Sequence, residues 1–171
     1  PFRLAPHERH GRVMPARFLA VLLVVLGTAA AQADSLTYVN DRFGTTLTFP
    51  VDIFDRIDPP PANGDGRRFR SEDGAELAAY GQFNTLDQTP DTLIQWETGM
   101  VKENGGSVTY SASGKDWAVI SGKQGGDTFY RRHEFSSDGS VIHSMEMRYP
   151  ALASSIYDNL VGQIAGSLEG S

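Results

Sequence analysis

Residues 128–150, TFYRRHEFSSDGSVIHSMEMRYP, have the pattern of two β-strands joined by a turn. Apolar and polar residues alternate in the second strand, so that one face carries Val141, His143, Met145, Met147 and Tyr149. A period of two is typical of a strand that buries one face. Asp138-Gly139 separates the strands and favours the positive φ of a hairpin turn. The stretch therefore predicts an antiparallel hairpin formed by residues 127–136 and 140–149.

The length of the hairpin loop decides which residues face each other. A three-residue loop with a bulge at its glycine places His133 opposite His143 and keeps apolar residues on common faces, and we favour this register. A two-residue turn would instead form attractive pairs, Glu134 with His143 and Arg131 with Glu146. In the favoured register the two imidazoles form a partly buried pair whose protonation weakens the sheet at low pH.

The same reasoning extends outward to further strands. Asp73-Gly74 is a strong hairpin signal, and glycines separate the strands on the N-terminal side of the quoted stretch. Nearer the N-terminus, Phe43, Thr45, Leu47 and Phe49 project to one side of an alternating segment. The predicted strands are residues 43–49, 67–70, 75–83, 107–113 and 116–122.

Two amphipathic helices are predicted. The first begins with Thr89 as N-cap and Pro90 in the first turn, and it ends at Gly105-Gly106. Its expected core stripe is Leu93, Trp96, Met100 and Val101. The second opens at Pro150, with an expected stripe of Leu152, Ile156, Leu160, Ile164 and Leu168. Consecutive hairpin strands with two covering helices predict an α+β fold built on an antiparallel sheet.

The N-terminus has the three parts of a signal peptide. Arg12 and Arg17 precede an apolar run over residues 18–26, and Ala31-Gln32-Ala33 forms a small-x-small cleavage site. The run is shorter than the roughly 20 residues of a membrane-spanning helix. We expect residues 1–33 to be an N-terminal extension and signal-peptide helix, and residues 34–171 to be one α+β domain. The domain is then periplasmic or secreted, with no membrane attachment after cleavage.

Charge and cysteine content exclude several classes of partner and site. Removing residues 1–33 takes away four of the 15 basic and one of the 21 acidic residues, leaving 11 and 20 and a net charge of −9. Nucleic acid and anionic lipid reward clustered positive charge, so neither is an expected partner, and cationic or neutral partners fit better. The absence of cysteine excludes disulfides, thiolate metal sites and a cysteine nucleophile.

The loop before the two strands that Asp73-Gly74 joins combines prolines, glycines and arginines. Three consecutive prolines and the sequence NGDG at residues 63–66 predict a rigid, wide turn. A calcium loop is the weaker interpretation, because the acidic spacing does not match. The adjacent Arg67, Arg68 and Arg70 suit a phosphate or carboxylate, but Asp65, Glu72 and Asp73 are expected to neutralise them in surface ion pairs.

The segments YVNDRFGTTLTFP (residues 38–50) and PPPANGDGRRFRSEDGAELAAYG (residues 59–81), with the order of elements, carry a resemblance. They resemble small exported bacterial proteins of unknown function, whose architecture is similar to the PsbP-like α/β/α sandwich of the extrinsic photosystem II subunit. The resemblance covers most of residues 38–168. It implies a non-catalytic domain used for binding or assembly, and it transfers no site residues.

No nucleophile elbow, P-loop or dinucleotide fingerprint occurs in the sequence. The expected function is therefore an exported, non-catalytic binding or accessory domain for an unknown protein or small ligand, without cofactor, metal or catalytic residue. The candidate ligand-binding residues are His133, His143, Arg131, Arg67, Arg68 and Arg70. The alternative is a small periplasmic hydrolase, or a zinc- or copper-binding protein, that uses His133 and His143.

Overall fold

The computed structural model describes residues 34–170 of the chain. Within that range nine strands, one short 3-10 turn and two α-helices follow one another. In chain order they are β1 Ser35–Val39, β2 Thr46–Pro50, β3 Arg56–Ile57, β4 Gly66–Arg70, β5 Glu76–Phe83, α1 Pro90–Glu103, β6 Ser107–Ser113, β7 Trp117–Gln124, β8 Asp127–Phe135, β9 Val141–Pro150, the 3-10 turn Ala151–Ala153 and α2 Ser154–Gly166.

Seven of the strands form one sheet in the order β3-β4-β5-β9-β8-β7-β6, and every neighbouring pair is antiparallel. Strand β9 lies in the middle, as its alternation and its length of ten residues suggest. Strands β1 and β2 form a separate antiparallel pair. The predicted α+β class with a mainly antiparallel sheet and two helices is confirmed, while the predicted signal-peptide helix falls outside the described residues.

The β8–β9 register differs from the one that we favoured. Glu134 pairs with His143 and Arg131 with Glu146, so the histidines do not face each other. The connecting loop has four residues, 137–140, closed by a hydrogen bond from the Ser136 amide to the Val141 carbonyl (2.9 Å). Our reasoning from apolar faces failed because a long charged side chain can share an apolar face by lying flat on it. Here the Arg132 guanidinium lies 5.5 Å from the Trp117 ring centre and pairs with Glu134.

Side chains inside the loop account for its length. The Asp138 carboxylate accepts hydrogen bonds from the Ser140 amide (3.0 Å) and from the Ser136 and Ser140 hydroxyls (2.8 Å each). These bonds, that of the Ser140 amide first, hold the pKa of Asp138 down at about 2. Gly139 takes a φ of 72°, which suits glycine. The aspartate thus organises a turn that is longer than its Asp-Gly signal suggested.

One face of the seven-stranded sheet, here called the α2 face, carries the larger core. Helix α2 and the β1–β2 pair cover it, so the alternating residues of β2, β5 and β9 meet there. The fully buried members include Leu47, Phe49, Phe69, Leu77, Met145, Met147 and Tyr157. The predicted inward faces of β2 and β9 are confirmed.

The opposite face, here called the α1 face, is covered only in part. Helix α1 packs on β6 and β7 through two small clusters. Their buried members are Leu93, Ala118 and Ile142 in one, and Val101, Ile120 and Phe129 in the other. Strands β4 and β5 and the neighbouring half of β9 are left without a covering helix on this side.

The predicted start of α1 is confirmed, whereas the predicted buried stripes of both helices are partly wrong. Thr89 caps α1 in a reciprocal pair with Thr92, as expected. However, Trp96 and Met100 are 53% and 41% exposed, while Glu97 takes the buried position between Leu93 and Val101. Leu152 lies in the 3-10 turn before α2 and is exposed, as is Ile156 in α2, whereas Tyr157 is buried. A strict four-residue repeat advances about 40° beyond a full turn at each step, so it cannot stay on one helix face.

The proline-rich loop is a connector between β3 and β4, as predicted. It is held by the β1–β2 turn, because the Asn40 amide donates to the Gly64 carbonyl (2.9 Å) and Arg42 donates to the Asn63 carbonyl (2.6 Å). Gly64 has a φ of 67°, which the Asn-Gly signal anticipates. Across residues 34–170 there is no helix of the length and apolar character needed to cross a membrane.

Candidate binding groove on the open half of the sheet

A groove runs over the part of the α1 face that the helix leaves open. One end lies beside α1, holds about 270 Å³ and is lined by Tyr80, Trp96, Glu97, Met100, Arg131 and Glu146, among others. The other end, of about 370 Å³, is lined by Arg68, Glu76, Ala78, Tyr80, Glu146 and Arg148. Tyr80 and Glu146 line both ends, and we call the whole depression the sheet groove.

The register explains why charged residues line this groove. Ala78 pairs with Glu146, and Glu146 pairs with Arg131, so one row of the sheet crosses three strands with its side chains on the α1 face. The Arg131 guanidinium lies 3.2 Å from Glu146 and 3.5 Å from Glu97, a residue of α1 that points towards the sheet. One arginine therefore lies between two carboxylates at the floor of the groove.

Glu97 is the most deeply placed of these charges. Its side chain is only 9% exposed, although it lines the groove. Burial raises the pKa of Glu97, but the ion-pair contacts of His133 and Arg131 outweigh burial, so that the pKa lies below its ordinary value. The carboxylate is thus held ionised in a poorly hydrated position.

Three polar atoms of this cluster lack a hydrogen bond to any other described residue. They are Glu97 Oε2, Arg131 Nε and His133 Nε2. The distances between them and their charged neighbours are those of ion pairs without hydrogen-bond geometry. Buried polar atoms nearly always have partners in folded proteins, and here opposite charges at 3.2, 3.3 and 3.5 Å are those partners.

His133 links the cluster to strand β9. Its Nδ1 lies 2.9 Å from the Ser144 hydroxyl, and its Nε2 lies 3.3 Å from Glu97 Oε1. The arrangement has the residue types of a serine–histidine–acid triad. However, Ser144 is 0% exposed, whereas a nucleophile has to reach the substrate carbonyl. The alternative of a hydrolase therefore gains no support from this geometry.

Tyr80 lies beside the same charges. Burial is the largest cause that raises the pKa of its phenol, and the negative charges of Glu146 and Glu97 raise it further against the opposing effect of Arg131. The phenol therefore stays protonated and neutral in the groove.

His143 lies on the α2 face, opposite to His133. Its Nδ1 is 2.9 Å from the Thr45 hydroxyl, and its ring packs against Gly170. Burial lowers its pKa, although Glu134 acts in the other direction. Because the sheet separates the two imidazoles, they cannot bind one metal ion, and the favoured pairing of His133 with His143 is wrong. Residues 34–170 contain no group of three metal-ligating side chains.

The three candidate arginines of β4 do not share one face of the sheet, because successive residues of a strand point to opposite faces. Arg68 and Arg70 lie on one face and Arg67 lies on the other. Arg68 lines the sheet groove and lies 3.7 Å from Glu76, while Arg70 pairs with Asp58 (2.9 Å) and with Glu76. Arg67 donates to the Asp58 carbonyl (3.3 Å). Arg68 and Arg70 do form ion pairs, but the predicted partners Asp65, Glu72 and Asp73 are wrong, because the carboxylates are Asp58 and Glu76.

Asp73 was one of the expected partners of these arginines, but its carboxylate bonds to Ser71 and Tyr157 instead. It accepts hydrogen bonds from Ser71 and from Tyr157 (2.7 Å), and these bonds, led by that of Ser71, lower its pKa. The aspartate thereby ties the β4–β5 turn to helix α2.

Of the predicted site residues, the structure brings together Arg131, His133 and Arg68 on the α1 face. Sequence reasoning missed Glu97, Glu146, Tyr80 and Trp96. A signal existed for Glu97, because it stands four residues from both Leu93 and Val101 on the core side of α1. A carboxylate in the middle of an apolar stripe needs a buried partner.

A seven-stranded antiparallel sheet with helices on its two faces is an α+β arrangement that agrees with the PsbP-like architecture expected from the sequence resemblance. Among solved structures, the chain is similar to the solution structure of cyanobacterial PsbP from Synechocystis sp. PCC 6803, with a TM-score of 0.58. The match covers 84% of this chain and 96% of that chain at 9% identity. No family model and no curated protein match the sequence. At this identity the likeness shows the fold alone.

Proposed function

We propose that this chain is an exported, non-catalytic binding or accessory domain, and that it holds its ligand in the sheet groove. The observation that carries the proposal is Glu97, a buried, ionised carboxylate on the floor of an open groove, whose Oε2 makes an ion pair with Arg131 (3.5 Å) but no hydrogen bond among the described residues. The groove offers charge and aromatic surface, while the Ser144 hydroxyl, which contacts His133, is closed to substrate. The PsbP-like fold supports an accessory role.

Export is the second part of the proposal, and it rests on the signal-peptide pattern of residues 1–33. The full chain should be expressed in a bacterium with a periplasm, and the mass of the product in each compartment should be measured. We expect a product that starts at Asp34 in the periplasm or medium. A product that keeps the apolar run of residues 18–26 would contradict export by this route.

Binding in the groove can be tested without knowing the natural ligand. The isotope-labelled protein, purified from cells that express the full chain, should be screened by amide chemical-shift mapping with small fragments of positive, neutral and negative charge. We expect the shifted amides to cluster around Ala78, Tyr80, Glu146 and Trp96. Shifts confined to other surfaces would overturn the assignment of the groove.

The non-catalytic character has a separate test. The parent protein and the variants Ser144→Ala and His133→Ala should be assayed on ester, amide and phosphoester substrates. We expect equal background rates for all three proteins. A parent rate well above background that is lost in both variants would establish the hydrolase instead.

A further inference from the structure

The end of the sheet groove beside α1 is small and lined by charged and aromatic residues. Its volume of about 270 Å³ suits a single side chain or a small metabolite. Carboxylates, an aromatic ring and a thioether surround this volume, with Glu97 and Glu146 on the floor and Trp96 and Met100 on the helix side. We call this end the α1 subsite.

The charge balance of the groove is uneven. Towards β4, Arg68 pairs with Glu76, and Arg148 lies 3.3 Å from Asp127. In the α1 subsite, by contrast, Arg131 faces both Glu97 and Glu146. Glu97 already lies between Arg131 and His133, so Glu146, which is 26% exposed, is the carboxylate that offers an acceptor to the N–H group of a second cation.

The surroundings of these carboxylates favour the same sign of charge. Trp96 is 53% exposed, and the face of an indole ring attracts a cation. Met100, Val101 and Asn104 line the subsite from the C-terminal part of α1, which is the negative end of the helix dipole. Each of these effects is modest in water, and each strengthens where water is displaced.

We propose that the α1 subsite binds a monovalent organic cation, an alkylammonium or alkylguanidinium group, between Glu97, Glu146 and the Trp96 ring. The proposal rests on the proposed binding function and adds the chemical class of the ligand. A free amine and the side chain of a lysine or arginine carry the same group, so the chemistry is shared by a small metabolite and a protein partner.

The test uses probes with a common alkyl length and different charge: butylammonium, butylguanidinium, butyramide and butyrate. Trp96 reports binding by fluorescence in a Trp117→Phe background, since these are the two tryptophans of the chain. We expect the two cations to bind about tenfold more tightly than butyramide, as a hydrogen bond to a charged group implies. Equal or tighter binding of butyramide or butyrate would overturn the proposal.

Three variants locate the effect. Glu97→Gln and Glu146→Gln should each weaken butylammonium binding about tenfold, because each removes one carboxylate from the subsite. Glu103→Gln removes the same charge from an exposed position of α1 and should leave binding unchanged. If Glu97→Gln fails to fold, Glu146→Gln decides, since Glu146 is the more exposed residue. Unchanged binding in a folded Glu146→Gln would overturn the subsite.

The remaining comparison distinguishes a protein partner from a free amine as the source of the cation. It also distinguishes a failure of the proposed cation from a failure of the proposed binding function. A capped Gly-Lys-Gly peptide that binds at least as tightly as butylammonium would support a protein partner, and weaker peptide binding would support a free amine. If neutral or anionic fragments change the amide chemical shifts of the groove as strongly as cationic fragments do, the proposed cation class alone would be overturned. An absence of groove shifts with every charge class would overturn the binding function as well.

Discussion

Glu97 Oε1 lies 3.3 Å from His133 Nε2, and this polar contact joins helix α1 to strand β8 in the middle of the helix's buried stripe. A charged residue at this position is costly unless the sheet supplies partners, and His133 and Arg131 supply them. The contact is therefore both a packing feature of the fold and the floor of the proposed binding site. Its removal should affect stability as well as binding.

Replacement of Glu97 by alanine should lower the free energy of unfolding by about 3 kcal/mol, because Arg131 and His133 lose the carboxylate that they contact beneath the helix. Urea unfolding followed by circular dichroism measures this change. Glu103→Ala, at an exposed site of the same helix, should change stability by less than about 0.5 kcal/mol. Equal effects of the two substitutions would show that the buried contact contributes little.

His143 should make stability depend on pH. Burial lowers its pKa in the folded protein, so the unfolded chain binds the proton more readily. The free energy of unfolding should therefore fall as the pH drops below about 6.5, the ordinary histidine pKa, and it should level off below the folded pKa. Above pH 6.5 this group should have no effect.

The variant His143→Gln keeps a hydrogen-bonding group opposite Thr45 and removes the titration. Its free energy of unfolding, measured in urea between pH 7 and pH 5, should fall less than that of the parent. Parallel curves for the two proteins across this range would contradict the assignment to His143.

Gly81 should not tolerate a side chain. A Cβ at this position would lie 2.4 Å from Phe43 Cβ and 2.8 Å from the Thr45 hydroxyl, where the β1–β2 turn covers strand β5. Gly81→Ala should therefore destabilise the protein by about 1–3 kcal/mol through overpacking. Thermal unfolding measures the loss, and an unchanged midpoint would show that the turn moves away without cost.

Gly99 should respond in the opposite way. It lies inside α1, and a Cβ there would meet no atom within 4 Å. Gly99→Ala should stabilise the protein by about 0.5–1 kcal/mol, because alanine loses less conformational freedom than glycine on helix formation. The same thermal measurement applies, and a lower midpoint than that of the parent would contradict the open surroundings of Gly99.

The elements of this fold were readable from the sequence because their signals are local. Alternation identified the buried faces of β2 and β9, and Thr89-Pro90 identified the start of α1, because each pattern depends on neighbouring residues alone. Asp73-Gly74 and Asn63-Gly64 marked turns for the same reason. The PsbP-like architecture was expected from a resemblance carried by residues 38–50, residues 59–81 and the order of these elements.

The candidate site was predicted in part. Arg131, His133 and Arg68 were named from the sequence, and they meet on the α1 face. Glu97 and Tyr80 were missed, because nothing local shows that a helix and two separate strands converge there. His143 was assigned to the wrong face relative to His133, because that assignment depended on the register.

The sequence by itself determined most of the segments of this protein that become strands, helices and turns, since local backbone preference and side-chain period act over a few residues. Strands β1 and β3 were not predicted. The tertiary structure alone decided the β8–β9 register, the orientation of α1 and the meeting of Glu97 with His133 and Arg131. The physical reason is that a register shift of one residue changes no local preference but moves every side chain to the other face of the sheet. The long-range packing of α1 against the sheet, and the four-residue loop organised by Asp138, settle which face receives the charges.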